Sequence, residues 1–180
     1  TGLTYTDTAV PKRGRAVLTA ALGLGVLLVD QLTKALIIDR IGPDAPDRVI
    51  VLIPGWLRLI YVENTGAAFG TFQGNSPILT VLALVVVGVI IAYFRQSLLR
   101  STWLSVALGL QLGGAIGNVI DRLRLGYVVD FIDFPHWPTF NMADSAIMLA
   151  ISLLREDGGT HRDEMAADDG NGAVSGRSSE

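Results

Sequence analysis

The sequence predicts an all-α membrane protein with four transmembrane helices and a small extracytoplasmic β-hairpin. Half of the 180 residues are hydrophobic and only 17% are charged, whereas a soluble domain carries about a quarter charged residues. Four apolar stretches approach the roughly 20 residues that a membrane span requires. Between the first two stretches, a β-branched run, a Pro-Gly turn signal and a second strand-like run follow one another, which is typical of a hairpin.

The four predicted spans differ in how apolar they are. The second is the cleanest, whereas the others carry polar residues that must lie near the membrane surface or face a protein interior. Lys12 and Arg13 precede the first span as in a cleavable signal peptide, but no Ala-x-Ala-like cleavage site follows directly, so we expect the span to be retained. The spans cover about residues 16–38, 77–94, 102–118 and 140–154.

The basic residues orient the chain in the membrane. Arg95 and Arg100 lie in the short loop after the second span, and dense Lys and Arg mark cytoplasmic loops. We therefore expect both termini in the cytoplasm and the hairpin outside. The predicted organisation is a cytoplasmic segment at 1–15, a membrane domain at 16–154 with the hairpin region at about 40–76, and a disordered cytoplasmic tail at 155–180.

Composition excludes several functions. The net charge of −3 gives no basic face for nucleic acid. The absence of cysteine excludes disulfides and a thiol nucleophile, and two histidines cannot form a histidine-rich metal site. We therefore predict neither a metal nor another cofactor.

Polar residues collect at the predicted outer face of the membrane. Asp30 and Lys34 are four residues apart near the outer end of the first span, so they share one helix face. Ionisable residues at such positions are costly and usually functional. The same region contains Asn64, Asn118, Asp121, Arg122, Asp130, Asp133, Asn141, Asp144 and Ser145.

Carboxylates are the reactive groups that this face offers. Two aspartates that meet at a partly desolvated site share a proton, so that one acts as a general base on water and the other as a general acid. Such a pair hydrolyses amide bonds without a metal. Spacing alone does not choose the pair among Asp30, Asp121, Asp130, Asp133 and Asp144.

Five sequence blocks resemble lipoprotein signal peptidase (signal peptidase II), a bacterial membrane aspartic protease family. They occur in the family's order, and together they are far more specific than any one alone. The blocks are DQLTK at 30–34, NTGAAFG at 64–70, GGAIGNVIDR at 113–122, GYVVDF at 126–131 and FNMADS at 140–145.

The resemblance implies an activity and assigns roles. It maps the catalytic aspartates to Asp130 and Asp144, and it implies an extracytoplasmic β-cradle above four membrane helices. It also implies cleavage of diacylglyceryl-modified prolipoproteins just before the lipidated cysteine, in the bacterial cytoplasmic membrane, with globomycin as an inhibitor. Residues expected to bind substrate or support the site are Asn64, Gly66, Asn118, Arg122, Asn141, Asp30 and Lys34.

Plainer interpretations stay open for several residues. Asp144 lies where a carboxylate also stabilises a helix start. Asp30 and Lys34 form an ion pair that makes their burial tolerable, and Arg122 has Asp121 as a possible partner. Gly109, Gly113 and Gly117 form a small-residue stripe suited to close helix packing.

Two other functions compete with a peptidase. A small transporter or channel would use Asp30, Lys34 and Asp144 as an ion path, but the second and third spans have almost no polar residues in their interiors. A non-enzymatic membrane scaffold would use the glycine stripe and would leave the clustered Asp and Asn residues unexplained.

Overall fold

The computed structural model describes residues 11–45, 48–66, 76–97 and 102–155. Of the predicted tail at 155–180, Arg155 is described and ends a helix, whereas 156–180 and the first ten residues lie outside this described part. The described residues form four helices and three strands, in the order α1 Lys12–Ile41, β1 Val49–Ile53, β2 Leu57–Asn64, α2 Ser76–Ser97, α3 Thr102–Leu125, β3 Val128–Asp133 and α4 142–155.

The helices present apolar surfaces outward. On α2, Val81 and Val89 are 61% and 62% exposed, and on α1, Leu32 is 62% exposed while Asp30 is fully buried. Exposed apolar surface of this extent marks contact with lipid or a partner. Two of the described helices, α1 and α3, are long and apolar enough to cross a membrane; the apolar part of α2, Pro77–Ala92, and α4 are shorter.

Glycines bring α1 and α3 into close, parallel contact. The Thr19 hydroxyl donates to the Ser105 carbonyl at 2.9 Å at one end, and Lys34 meets Asp121 at the other. Between these contacts, a Cβ on Gly109 would lie 2.8 Å from the Thr19 carbonyl oxygen. The glycine stripe therefore serves helix packing, as small residues do in membrane bundles.

A three-stranded antiparallel sheet in the order β1-β2-β3 lies beside the ends of α1 and α3. The predicted hairpin is present as β1 and β2 in a mostly helical chain, and a third strand that was not predicted joins it. Asp130 and Asp133 lie on this third strand. Residues 128–133 form β3, which pairs with β2. Five of these six residues are buried, so the strand lacks the alternation that identifies half-buried strands.

The sheet is joined to the helices by a small apolar core. Ile37 and Ile41 at the end of α1 pack with Val129 and Phe131 of β3. This contact places β3 against the end of α1 where the polar residues are concentrated. Helix α3 continues to Leu125, beyond the predicted third span at about 102–118, and therefore includes Asp121 and Arg122.

Candidate active site

Asp130 and Asp144 reach one cavity from different elements. Asp130 is on β3 and 1% exposed, whereas Asp144 is in the first turn of α4. Both line a cavity of about 370 Å³, and Asn141 hydrogen-bonds both. The other lining residues are Asn64, Gly66, Asn118, Arg122, Val128, Trp137, Pro138, Thr139, Phe140, Ile147 and Met148.

Asn141 is the N-cap of α4 and connects the two aspartates. Its side-chain oxygen accepts the Asp144 backbone N–H at 2.9 Å, and its own backbone N–H donates to Asp144 Oδ2 at 3.4 Å. This reciprocal pair is a capping box, so the helix-start role suggested for Asp144 is present as well. The Asn141 amide also donates to Asp130 Oδ1 at 2.7 Å.

Two more asparagines donate to the carboxylates. Asn64, on β2, donates to Asp130 Oδ2 at 2.8 Å and accepts the Gly66 backbone N–H at 3.0 Å. Asn118, on α3, donates to Asp144 Oδ1 at 2.8 Å. Asn64, Asn118 and Asn141, the three asparagines predicted to lie at the site, therefore all donate hydrogen bonds to the aspartate pair.

Burial and the neighbouring charge of Asp144 raise the pKa of Asp130 from 3.8 to about 7. The hydrogen bonds from Asn64 and Asn141 and the charge of Lys34 act in the opposite direction. Because the two carboxylates interact, their protons belong to the pair. Near neutral pH the pair can therefore hold one proton, as acid–base catalysis by two aspartates requires.

Arg122 lines the cavity beside the pair. Its guanidinium donates to the Asn118 carbonyl at 3.4 Å, and in the described part of the chain no carboxylate lies within 4.0 Å of it. The suggested pairing with Asp121 is not formed, because Asp121 binds Lys34 at 2.7 Å. Among the residues that the structure describes, no carboxylate thus occupies the donors of the Arg122 guanidinium.

The remaining predicted residues, Asp30, Lys34 and Asp133, do not line the cavity that contains the aspartate pair. Asp30 and Lys34 form the expected ion pair at 2.9 Å, and Asp133 pairs with Arg58 across β2 and β3. Within the described ranges, no group of three or more metal-ligating side chains is placed to hold an ion.

Part of the site was not predicted from the sequence. Gln31 donates to Asp121 at 2.9 Å and to the Gly117 carbonyl at 3.3 Å, although its position in the DQLTK block was a signal. Ile147 and Met148 form an apolar wall of the cavity. Their positions three and four residues after Asp144 placed them on the same helix face.

An apolar helical chain that places a buried and a partly buried aspartate beside one cavity, each held by asparagine donors, has the features of a membrane-embedded hydrolase. Comparison with known proteins identifies which one. The chain belongs to the signal peptidase II family, because the profile described as Signal peptidase (SPase) II matches residues 22–156. It is thus a bacterial membrane protein and a peptidase.

Individual relatives agree with this assignment. The lipoprotein signal peptidase of Thermodesulfovibrio yellowstonii is 46% identical over 72% of this chain and 86% of its own length. That of Symbiobacterium thermophilum is 41% identical over 77% and 91%. A solved bacterial membrane enzyme, determined by the in meso method at 2.3 Å resolution, superposes with a TM-score of 0.67 at 29% identity, covering 76% of this chain and 84% of that one.

Proposed function

We propose that this protein is an aspartic endopeptidase that removes the signal peptide from diacylglyceryl-modified prolipoproteins, with Asp130 and Asp144 as the catalytic pair. The observation that carries the proposal is that both carboxylates border one cavity and are hydrogen-bonded by the same residue, Asn141. The family membership supports the substrate class. Neither a metal nor a covalent intermediate is required by this chemistry.

The reaction begins with a water molecule between the two aspartates. The ionised carboxylate takes a proton from the water as its oxygen attacks the carbonyl carbon of the residue before the lipidated cysteine. The protonated carboxyl gives its proton to the carbonyl oxygen. When the tetrahedral intermediate collapses, the carboxyl that took the proton from water gives it to the cysteine nitrogen, and the other carboxylate takes back the proton from the hydroxyl oxygen. The C–N bond breaks, and the signal peptide is released with a new carboxyl end.

Arg122 and the asparagines support this chemistry in different ways. Asn64, Asn118 and Asn141 hold the carboxylate oxygens. Arg122 lines the cavity, and its guanidinium can donate hydrogen bonds to a substrate carbonyl oxygen, where charge develops during attack. Ile147 and Met148 offer an apolar wall for a substrate that carries acyl chains.

The proposed arrangement in the bilayer has four spans, both termini in the cytoplasm and the site near the outer face. The parallel course of α1 and α3 supports this arrangement, since two parallel spans need an intervening crossing. The exposed apolar strand β1 and Trp56, which is 72% exposed, suit contact of the sheet with the membrane surface. The segment before α1 and the tail after α4 lie outside this peptidase unit.

Purified full-length protein in lipid should cleave a diacylglyceryl-modified prolipoprotein. A metal chelator should leave this cleavage unchanged, and globomycin should block the cleavage. Asp130→Asn and Asp144→Asn each keep the side-chain shape but cannot share the proton, so we expect cleavage to fall by at least about a thousandfold. Asp39→Asn is the matched control, because Asp39 is exposed and pairs only with its neighbour Arg40 among described residues. Cleavage that persists in either pair variant would refute the assignment, and a folded but inactive wild type would refute the peptidase proposal.

A further inference from the structure

A second polar cluster lies directly behind the aspartate pair and is almost completely buried. Lys34, Asp30 and Asp121 are 2%, 0% and 3% exposed. The Lys34 ammonium is 2.9 Å from Asp30 Oδ2, 2.7 Å from Asp121 Oδ2 and 3.0 Å from Asn118 Oδ1. An ammonium has three protons, so these three acceptors use all of them.

The two carboxylates of this triad each bind a backbone N–H in another element. Asp30 Oδ1 accepts from Ala143 at 3.0 Å, and Asp121 Oδ2 accepts from Val129 at 3.2 Å. Ala143 immediately precedes Asp144, and Val129 immediately precedes Asp130. The triad therefore holds the chain one residue before each member of the pair, from α1 to α4 and from α3 to β3.

We propose that the buried triad Asp30–Lys34–Asp121 sets the separation and orientation of Asp130 and Asp144, so that its three members are positioning residues of the active site. This inference rests on the proposed catalytic role of the pair. A buried ion cluster often contributes little net stability compared with apolar packing, so we attribute its role here to the arrangement of backbone contacts that it fixes. Lys34 also orients Asn118, because an ammonium can only face the amide oxygen, which leaves the amide NH₂ for Asp144.

Two effects are distinguishable in a pH–rate profile. The acid and alkaline limbs of the profile report the two apparent pKa values of the carboxylate pair, and repulsion between the carboxylates moves these two values apart. If the carboxylates are held farther from each other, the repulsion weakens, the two pKa values come closer together and the profile becomes narrower. Fixed charges around the pair shift the midpoint of the pH–rate profile without changing its width. These charges are Lys34 and Asp30 on α1, and Asp121 and Arg122 on α3. Positioning therefore predicts narrowing, whereas a purely electrostatic role predicts only a shift.

Lys34→Met tests the proposal in purified full-length enzyme. We expect kcat to fall about a hundredfold, as for a displacement of about 1 Å, with KM within about twofold, a narrower profile and a midpoint at higher pH. The single variant leaves two buried carboxylates without their cation. A triple variant, Lys34→Met with Asp30→Asn and Asp121→Asn, removes these charges. Its asparagine oxygens can still accept the backbone N–H groups of Ala143 and Val129. It should also narrow the profile, but with its midpoint at lower pH.

Leu104→Ala is the control for lost stability. Leu104 packs with Ile90 and Leu108 in a separate apolar cluster. The Leu104→Ala variant should therefore have a lower melting temperature and an unchanged width of the pH–rate profile. The proposal is overturned if the triad variants fold and keep the wild-type width, or if Leu104→Ala narrows the profile as much. Failure of the proposed function would be visible separately, as an inactive wild type or an active Asp130→Asn variant.

Discussion

Gly117 on α3 offers a sensitive test of how helix packing supports the site. A Cβ added there would lie 2.5 Å from Asp30 Oδ2 and 3.2 Å from its Cγ. Separations under about 3 Å require something to move. The carboxylate has little freedom, because Lys34 holds one oxygen at 2.9 Å and the Ala143 backbone N–H holds the other at 3.0 Å.

The size of the effect follows from three contributions. Overpacking in a well-packed interior costs about 1–3 kcal/mol. Weakening a hydrogen bond to a charged group costs about 1.5–3 kcal/mol. Alanine regains about 1 kcal/mol over glycine in a helix interior. We therefore expect Gly117→Ala to lower the free energy of unfolding by about 1.5–5 kcal/mol.

Activity should fall as well, because the Asp30 carboxylate holds the residue before Asp144. A shift of about 1 Å in a catalytic group can cost about a hundredfold in rate. The measurement is prolipoprotein cleavage at saturating substrate, together with thermal unfolding in the same detergent. A fall in kcat with little change in KM would identify displacement of the reacting group.

Gly88→Ala is the matched control. Gly88 lies on α2, and apart from its chain neighbours and the backbone of its own helix, no described heavy atom would lie within 4 Å of a Cβ there. This variant should be as stable as wild type or slightly more stable, and fully active. If Gly117→Ala behaved like Gly88→Ala in both measurements, the close contact between α3 and Asp30 would not constrain the site.

Two further predictions concern the carboxylates. Since the pKa of Asp130 is raised from 3.8 to about 7, the folded state keeps a proton that the unfolded chain releases near pH 4, so the free energy of unfolding should decrease as pH rises from 4 to 7. Denaturant titrations should show this slope, and Asp130→Asn should flatten it; an unchanged slope would contradict the assignment. Asp133→Asn should change stability by about 1 kcal/mol or less and leave kcat within about twofold, because Asp133 pairs with the half-exposed Arg58; a loss as large as that of Asp130→Asn would contradict its structural role.

The sequence predicted those features that depend on local spacing. The apolar runs correspond to α1 to α4, and the i, i+4 relation of Asp30 and Lys34 gave their ion pair directly. The turn signal at Pro54-Gly55 correctly separated β1 from β2. Gly55 has φ +77°, a conformation that favours glycine.

Features that depend on contacts distant in sequence were not predictable. Strand β3 pairs Asp133 with Arg58, 75 residues earlier, and burial removes the alternation by which a strand is recognised. The contact of Gly117 with Asp30 likewise depends on how α1 and α3 cross. Asp121 is a further example. As a carboxylate it was a candidate for the catalytic pair, but in the structure its side chain contacts Lys34 and the backbone N–H of Val129.

The amide orientations around the pair have a consequence for its protonation. Asn118 turns its oxygen to Lys34, which has only donors, and Asn141 turns its oxygen to the Asp144 backbone N–H. Both amides can therefore offer only N–H donors to the two carboxylates, as Asn64 does to Asp130. A proton on the pair cannot be given to any of these amides, so a water or a substrate oxygen in the cavity is its natural acceptor. The network thus leaves the oxygens of the pair to exchange protons with what occupies the cavity, and this is the requirement for hydrolysis by two aspartates.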